Sequence, residues 1–271
     1  MPRAERWAVV GAHVALALAY VLAVPVFEKP DEPAHLEYVR FLARERRLPR
    51  PLPVFPFHEE SIWQGVNPPL SYAWAAAVLL AADPRGRAGI ASDPAFHLAA
   101  DPAEAFAAGS ERRIPRYNLR CLLFRGEEPN FCLPDARDRW PLRYPYTVLR
   151  ALRLAGIPWT ALAVWCTALA AALAQRPGGP WPVLAAACVG LNPQFCFLAG
   201  TFSNDPMADG LAALLVWLGL RHAARGGAPG GTGRAAVLGL VAGLGLLTKQ
   251  TMFAPAALAA AGVVAAARGR G

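Results

Sequence analysis

The sequence predicts an all-α membrane protein: about six transmembrane helices and a large extracytoplasmic first loop carrying juxtamembrane helices. Three observations predict it. Of 271 residues, 55% are hydrophobic and only 17% charged, with a mean hydropathy of +0.29, which is unlike an ordinary soluble domain. Uncharged runs of spanning length recur along the chain. The formal charge of +8 is also unevenly placed, since residues 28–144 hold 16 basic and 16 acidic side chains. The surplus of 11 basic over 3 acidic residues therefore flanks the apolar runs. That is a topology signal rather than a nucleic-acid-binding surface, so no nucleic-acid partner is expected. Disorder and collagen-like structure are excluded by the apolar fraction and by the lack of a glycine period.

A spanning helix needs about 20 mostly apolar residues to cross roughly 30 Å of hydrocarbon. Trp7 to Phe27 supplies such a run without a charge. It is longer than a signal peptide's apolar region and has no convincing Ala-x-Ala cleavage site at its end, so it reads as a retained anchor over residues 1–27. Leu154 to Ala174 is a second full-length run. Trp181 to Gly200 is a third, softened by Asn192, Pro193 and Gln194, and Pro206 to Leu220 is shorter and carries Asp209. Ala235 to Ala267 has Lys249 as its one charge and is too long for one straight crossing, so it divides into two short crossings joined near Lys249. These five helices make up residues 150–271, and residues 28–149 form the extracytoplasmic loop with amphipathic and re-entrant helices.

Leu70 to Ala82 would reach only about 20 Å as a helix, and charge parity decides its place. If it does not cross, the cytoplasmic segments hold Arg3, Arg6, Arg176, Arg221, Arg225, Arg234, Arg268 and Arg270, and the short outer ones hold only Lys249. If it crosses, all of these after Arg6 change sides. The positive-inside rule selects a re-entrant or surface-lying helix, with both termini inside. Cys121 and Cys132 then fall outside, where an oxidising compartment permits a disulfide. Cys166, Cys188 and Cys196 lie in apolar runs and read as packing residues. No Cys/His metal spacing appears.

Chemistry concentrates at two places on the predicted outer face. After the first run comes Lys29-Pro30-Asp31-Glu32-Pro33-Ala34-His35, opening a helix with His35, Tyr38, Val39 and Leu42 on one face and Glu37, Arg40, Arg44 and Arg47 on the other. That pattern suits a helix lying along the membrane surface. Asp31 or Glu32 caps this helix and offsets its dipole, or faces an acceptor as a base. Ser203-Asn204-Asp205-Pro206 occupies the short loop between two spans, where Asp205 reads equally as an N-cap or as a second functional carboxylate. Asp209 lies about one turn further on and suits the wet helix end. Lys249, at the outer turn, snorkels to the interface or meets an anionic headgroup. His58, Glu59, Glu60 and His97 have no diagnostic spacing and read as solvated.

Taken together these pieces resemble the GT-C superfamily of membrane glycosyltransferases, in the branch of protein O-mannosyltransferases and lipid A aminoarabinose transferases. Pro30-Asp31-Glu32-Pro33-Ala34-His35-Leu36-Glu37-Tyr38 resembles the acidic motif of the family's first outer loop. Asn67-Pro68-Pro69-Leu70-Ser71-Tyr72 is similar to its Pro-Pro-Leu-x-Tyr piece. Leu191-Asn192-Pro193-Gln194-Phe195 with Ser203-Asn204-Asp205 resembles its second outer-loop aspartate, and Gly243-Leu244-Gly245-Leu246-Leu247-Thr248-Lys249 its Gly-rich helix end. The resemblance covers the N-terminal half of such proteins. It departs at Val66-Asn67, where aminoarabinose transferases carry Glu-Lys, and over residues 83–143, which are longer here.

The resemblance implies inverting transfer of a sugar from a polyprenyl-phosphate donor to an acceptor (protein, lipid or glycan), at the extracytoplasmic face of a bacterial plasma membrane. Asp31 is implied as catalytic base, with Asp205 positioning the acceptor, the base or a divalent metal. Glu32 belongs to the same catalytic set. His35, Arg40, Tyr72, Asn204 and Lys249 are implied to bind substrate, a cation among them steadying the leaving phosphate. A partner chain supplying the remaining half is a further expectation. The competing class is a non-catalytic membrane scaffold or assembly subunit of the same fold. A coupled transporter is disfavoured, because the only charged positions in the predicted spans are Asp209 near one end and Lys249 at a turn, where a coupled carrier usually buries more.

Overall fold

The computed structural model of the chain describes residues 3–24, 29, 31–49, 63–82, 146–174, 179–224 and 231–268. Among these the secondary structure is helical, without a strand. α1 (Arg3–Ala23) is followed by α2 (Glu32–Glu45), a 3₁₀ turn (Trp63–Val66) and α3 (Leu70–Ala82). α4 (Tyr146–Leu154) and α5 (Ile157–Leu173) come next, then α6 (Trp181–Gly190) and α7 (Pro193–Gly200). α8 (Asp205–Ala224), α9 (Gly231–Leu246), a second 3₁₀ turn (Gln250–Met252) and α10 (Phe253–Arg268) complete the order.

Two helical stretches, Ala4–Ala23 and Thr147–Leu173, are long and apolar enough to cross a bilayer. The pair Trp181–Gly190 and Pro193–Gly200, bent by 57°, makes a third if taken as one span. Its bend has a local cause. The Asn192 side chain accepts the backbone N–H groups of Gln194 and Phe195 at 2.9 and 3.3 Å, so a new helix starts at Pro193 rather than continuing α6. The division between residues 149 and 150 falls inside α4, because the apolar face of Tyr146–Leu154 carries the helix unbroken across it.

α1 packs on α5, α6 and α7; α5 on α6 and α8; α8 on α9 and α10. Small residues set the closest approaches. A Cβ at Gly210 would lie 2.6 Å from the Trp159 carbonyl oxygen, so α8 and α5 meet backbone to backbone. The polar interior of α1 escapes a count of charges: His13 is fully buried, with Nδ1 2.8 Å from the Gly190 carbonyl and Nε2 2.9 Å from Thr160 Oγ1. A carbonyl oxygen only accepts, so Nδ1 carries a proton there and the ring ties α1 to α5 and α6.

α2, α3 and α4 form a separate layer at one end. Leu36, Val39, Tyr72, Leu79, Val148, Leu152 and Phe202 make its core. The apolar face of α2, expected against lipid, is thus covered by α3 and α4; Tyr38 and Val39 are buried, and Glu37, Arg44 and Arg47 are exposed. α2 ends where Arg46 turns to φ 52° and its N–H closes on the Leu42 carbonyl. Cys121, Cys132, His58, Glu59, Glu60 and His97 lie outside the described residues.

Candidate functional site

Three stretches far apart in sequence converge where the α2–α3–α4 layer meets the bundle. The start of α3 is fixed there by the backbone, as the Leu70 N–H donates to the Leu247 carbonyl at 2.8 Å. That bond holds the α3 terminus beside the turn carrying Lys249. The Lys249 ammonium donates to Asp205 Oδ1, and Lys29 donates to Oδ2 at 3.2 Å. Ser203 Oγ also donates to Oδ2, at 3.0 Å, while the Asp205 N–H returns to Ser203 Oγ at 3.3 Å. One carboxylate at the first residue of α8 is therefore gripped by two ammoniums and a hydroxyl. Burial by itself would push the Asp205 carboxyl up, but the Lys29 and Lys249 charges overcome it and bring the pKa down to about 2. Asn204, expected to bind substrate, is buried beside it, and its carbonyl accepts the Ala208 N–H in the first turn of α8.

Next to this cluster stands an aromatic stack. His35 Nδ1 and the Tyr72 hydroxyl are hydrogen-bonded at 2.8 Å, Tyr72 stacks on Tyr38 at 4.1 Å, and Phe202 meets the His35 ring edge-on. Burial in this stack, and the nearby Lys29 ammonium, lower the His35 pKa to about 4. The His35 imidazole is therefore neutral near pH 7. The Asp205, Asp31 and Lys249 charges also act on that ring, so Asp31 borders the same cluster. Asp31 is exposed, and its side chain makes no cap hydrogen bond although it holds the N-cap position of α2. Its carboxylate is left for solvent or substrate.

Glu32, expected in the catalytic set, has a different task. Its two oxygens accept from Arg153 Nε and Nη2, each at 2.7 Å, and Oε1 also accepts the Phe202 N–H at 2.8 Å. The carboxylate is 4% exposed and the guanidinium 1%. The Glu32 carboxylate is thereby locked to Arg153 and to the 201–204 segment. Arg153 Nη1 and Arg150 Nη1 further donate to the Val24 carbonyl at 2.6 and 3.0 Å, so the end of α1, the start of α2, α4 and the 201–204 segment are held at one point. Arg40 lies about 12 Å along α2 from Glu32 by helix rise and acts electrostatically on Glu37.

Lys29 and Arg153 were missed in the sequence. The signal for Arg153 was two arginines three residues apart entering an apolar run, which require a carboxylate once buried. Lys29 stood immediately before the acidic motif and is itself buried. Among the described residues no three His, Cys, Asp or Glu side chains converge, and Asp205 already faces two cations. No family model, curated protein or solved structure matches the chain.

Proposed function

We propose that the chain is a GT-C-type glycosyltransferase that moves a sugar from a polyprenyl-phosphate donor to an acceptor hydroxyl at the extracytoplasmic membrane face. The observation that carries this reading is the meeting of Lys29 and His35 with Ser203, Asp205 and Lys249 at one end of an apolar helical bundle, with Asp31 exposed and making no cap hydrogen bond at the start of α2. In the reaction Asp31 takes the acceptor proton. The acceptor oxygen bonds to the anomeric carbon as the carbon–oxygen bond to phosphate breaks on the opposite side, inverting the centre. The electron pair passes to the phosphate, whose growing charge Lys29 and Lys249 balance. His35 and Tyr72 stand beside the cluster as neutral hydrogen-bonding groups. No step requires a metal.

The topology that goes with this function has six spans, both termini in the cytoplasm and α3 lying at the outer surface. The test is transfer from a polyprenyl-phosphate sugar by Asp31→Asn. Loss of about 10²-fold or more in turnover is expected for removal of a general base, and full turnover would sink the role. The clamping of Glu32 and the gripping of Asp205 favour a second reading, a non-catalytic scaffold. Under it Asp31→Asn leaves the cellular phenotype intact, whereas breaking the Glu32–Arg153 clamp does not.

A further inference from the structure

Two ammoniums at one carboxylate leave the trio of Lys29, Lys249 and Asp205 with one positive charge in excess, while the Asp209 carboxyl lies within electrostatic reach of all three. Lys29 is the more enclosed, its side chain 10% exposed, while Lys249 and Asp205 are 30% and 23% exposed, so the cluster opens on their side. A buried ammonium without a counter-ion is costly. Something anionic must sit against Lys29 and Lys249 whenever no ligand does. Each ammonium has three N–H donors, and the trio spends one from each on Asp205. The first turn of α8 adds a positive dipole end at the same point.

We propose that Asp205 is a placeholder: its carboxylate occupies a site that Lys29 and Lys249 make for a phosphate group, and the ligand's phosphate displaces it. The inference rests on the transferase reading for its ligand class, a phosphate-bearing lipid. Ser203 helps to hold the placeholder: its hydroxyl donates to Asp205 Oδ2, a bond that the exchange breaks. A phosphodiester carries one negative charge, enough to replace the Asp205 carboxylate at the two ammoniums. The phosphate left after transfer carries a second, matched only once Asp205 has withdrawn from the two lysines. Once withdrawn, Asp205 faces the acceptor with the proton affinity that the ammoniums had suppressed. Emptying and filling the phosphate site thereby alternates Asp205 between a structural and a positioning role.

The test measures binding of farnesyl phosphate and of inorganic phosphate to the full chain in detergent, by titration calorimetry, for the wild type, Asp205→Asn, Ser203→Ala and Lys249→Met. Asp205→Asn is expected to bind farnesyl phosphate about tenfold tighter, a difference of ~1.4 kcal/mol, and Lys249→Met weaker than wild type. Ser203→Ala shifts affinity in the same direction as Asp205→Asn by a smaller factor, and decides the matter if the Asn variant does not fold. Equal or weaker binding by the Asn variant, or by Ser203→Ala in its place, overturns the exchange, as does the absence of binding by every protein. Inorganic phosphate binding as tightly as farnesyl phosphate would support the exchange and assign the site to the free anion. Sugar transfer separates the two ideas: turnover with no affinity gain in Asp205→Asn removes the placeholder alone. Affinity gain without any turnover removes the transferase and leaves the placeholder.

Discussion

Arg153→Ala strands the Glu32 carboxylate at 4% exposure beside the Phe202 N–H, and breaking a buried pair by removing one partner costs about 3–5 kcal/mol. Thermal melting in detergent should fall steeply for Arg153→Ala and for Glu32→Ala. The pair Glu32→Leu with Arg153→Met should recover much of the loss, because no charge is then buried alone. A double variant no more stable than the singles would show that the clamp acts through something other than charge. Glu32 also marks what sequence could tell at this scale. It adjoins Asp31, has the same chemistry and resembles the same motif, yet one is open and the other locked. The difference comes from a guanidinium 121 positions away, which no local pattern specifies. Asp205, Tyr72, His35 and Lys249 were legible because each stands next to a helix end. Lys29 was not, since a lone lysine after a membrane helix is usually an interfacial anchor.

At the level of helices, apolar runs bounded by proline and glycine were enough to place α1, α3, α5, α6–α7 and the α9–α10 pair within a few residues. What the runs hid is which face each helix covers. α2 has the amphipathic pattern of a surface helix, but α3 and α4 cover its apolar side, and a pattern cannot distinguish lipid from protein as the apolar neighbour. Packing between the longer helices depends on glycines that carry no such pattern. Gly210→Val puts side-chain atoms into the Trp159 backbone of α5, where even a Cβ would come within 2.6 Å of the carbonyl oxygen. Overpacking of this kind costs about 1–3 kcal/mol, and a backbone neighbour cannot rotate away. Gly243→Ala in α9 is the control, as nothing lies within 4 Å of the added atom. Melting in detergent should separate the two, with Gly210→Val clearly lowered and Gly243→Ala at or above wild type. Equal behaviour would mean that α5 and α8 are free to move apart.

For the whole molecule, the ion pairs impose a parity that is independent of the arginine distribution. Lys29 and Asp205 are in contact and so share a side of the membrane, which makes the number of crossings between them even. Thr147–Leu173 has the length and apolarity of one crossing. Counting the described residues alone, with that crossing made, an even number requires one of α3 and the bent α6–α7 pair to cross and the other not. Thirteen residues of α3 give about 20 Å of helix, against about 30 Å of hydrocarbon, whereas the stretch from Trp181 to Gly200 has the length for one span. Length therefore favours the bent pair as the crossing over α3, in keeping with the topology proposed above, which also keeps the arginines inside. Between Asp205 and Lys249 the same rule requires α8 and α9 both to cross or neither. Reporter fusions after Ala82, Gln175, Ser203 and Gly230 test this directly. Fusions after Ala82 and Ser203 should report the extracytoplasmic side, and those after Gln175 and Gly230 the cytoplasm. If Ala82 and Ser203 report opposite sides, the crossing must be reassigned to α3. A cytoplasmic signal from both would turn the lysine–aspartate cluster inward and remove the membrane face on which the proposed transfer depends.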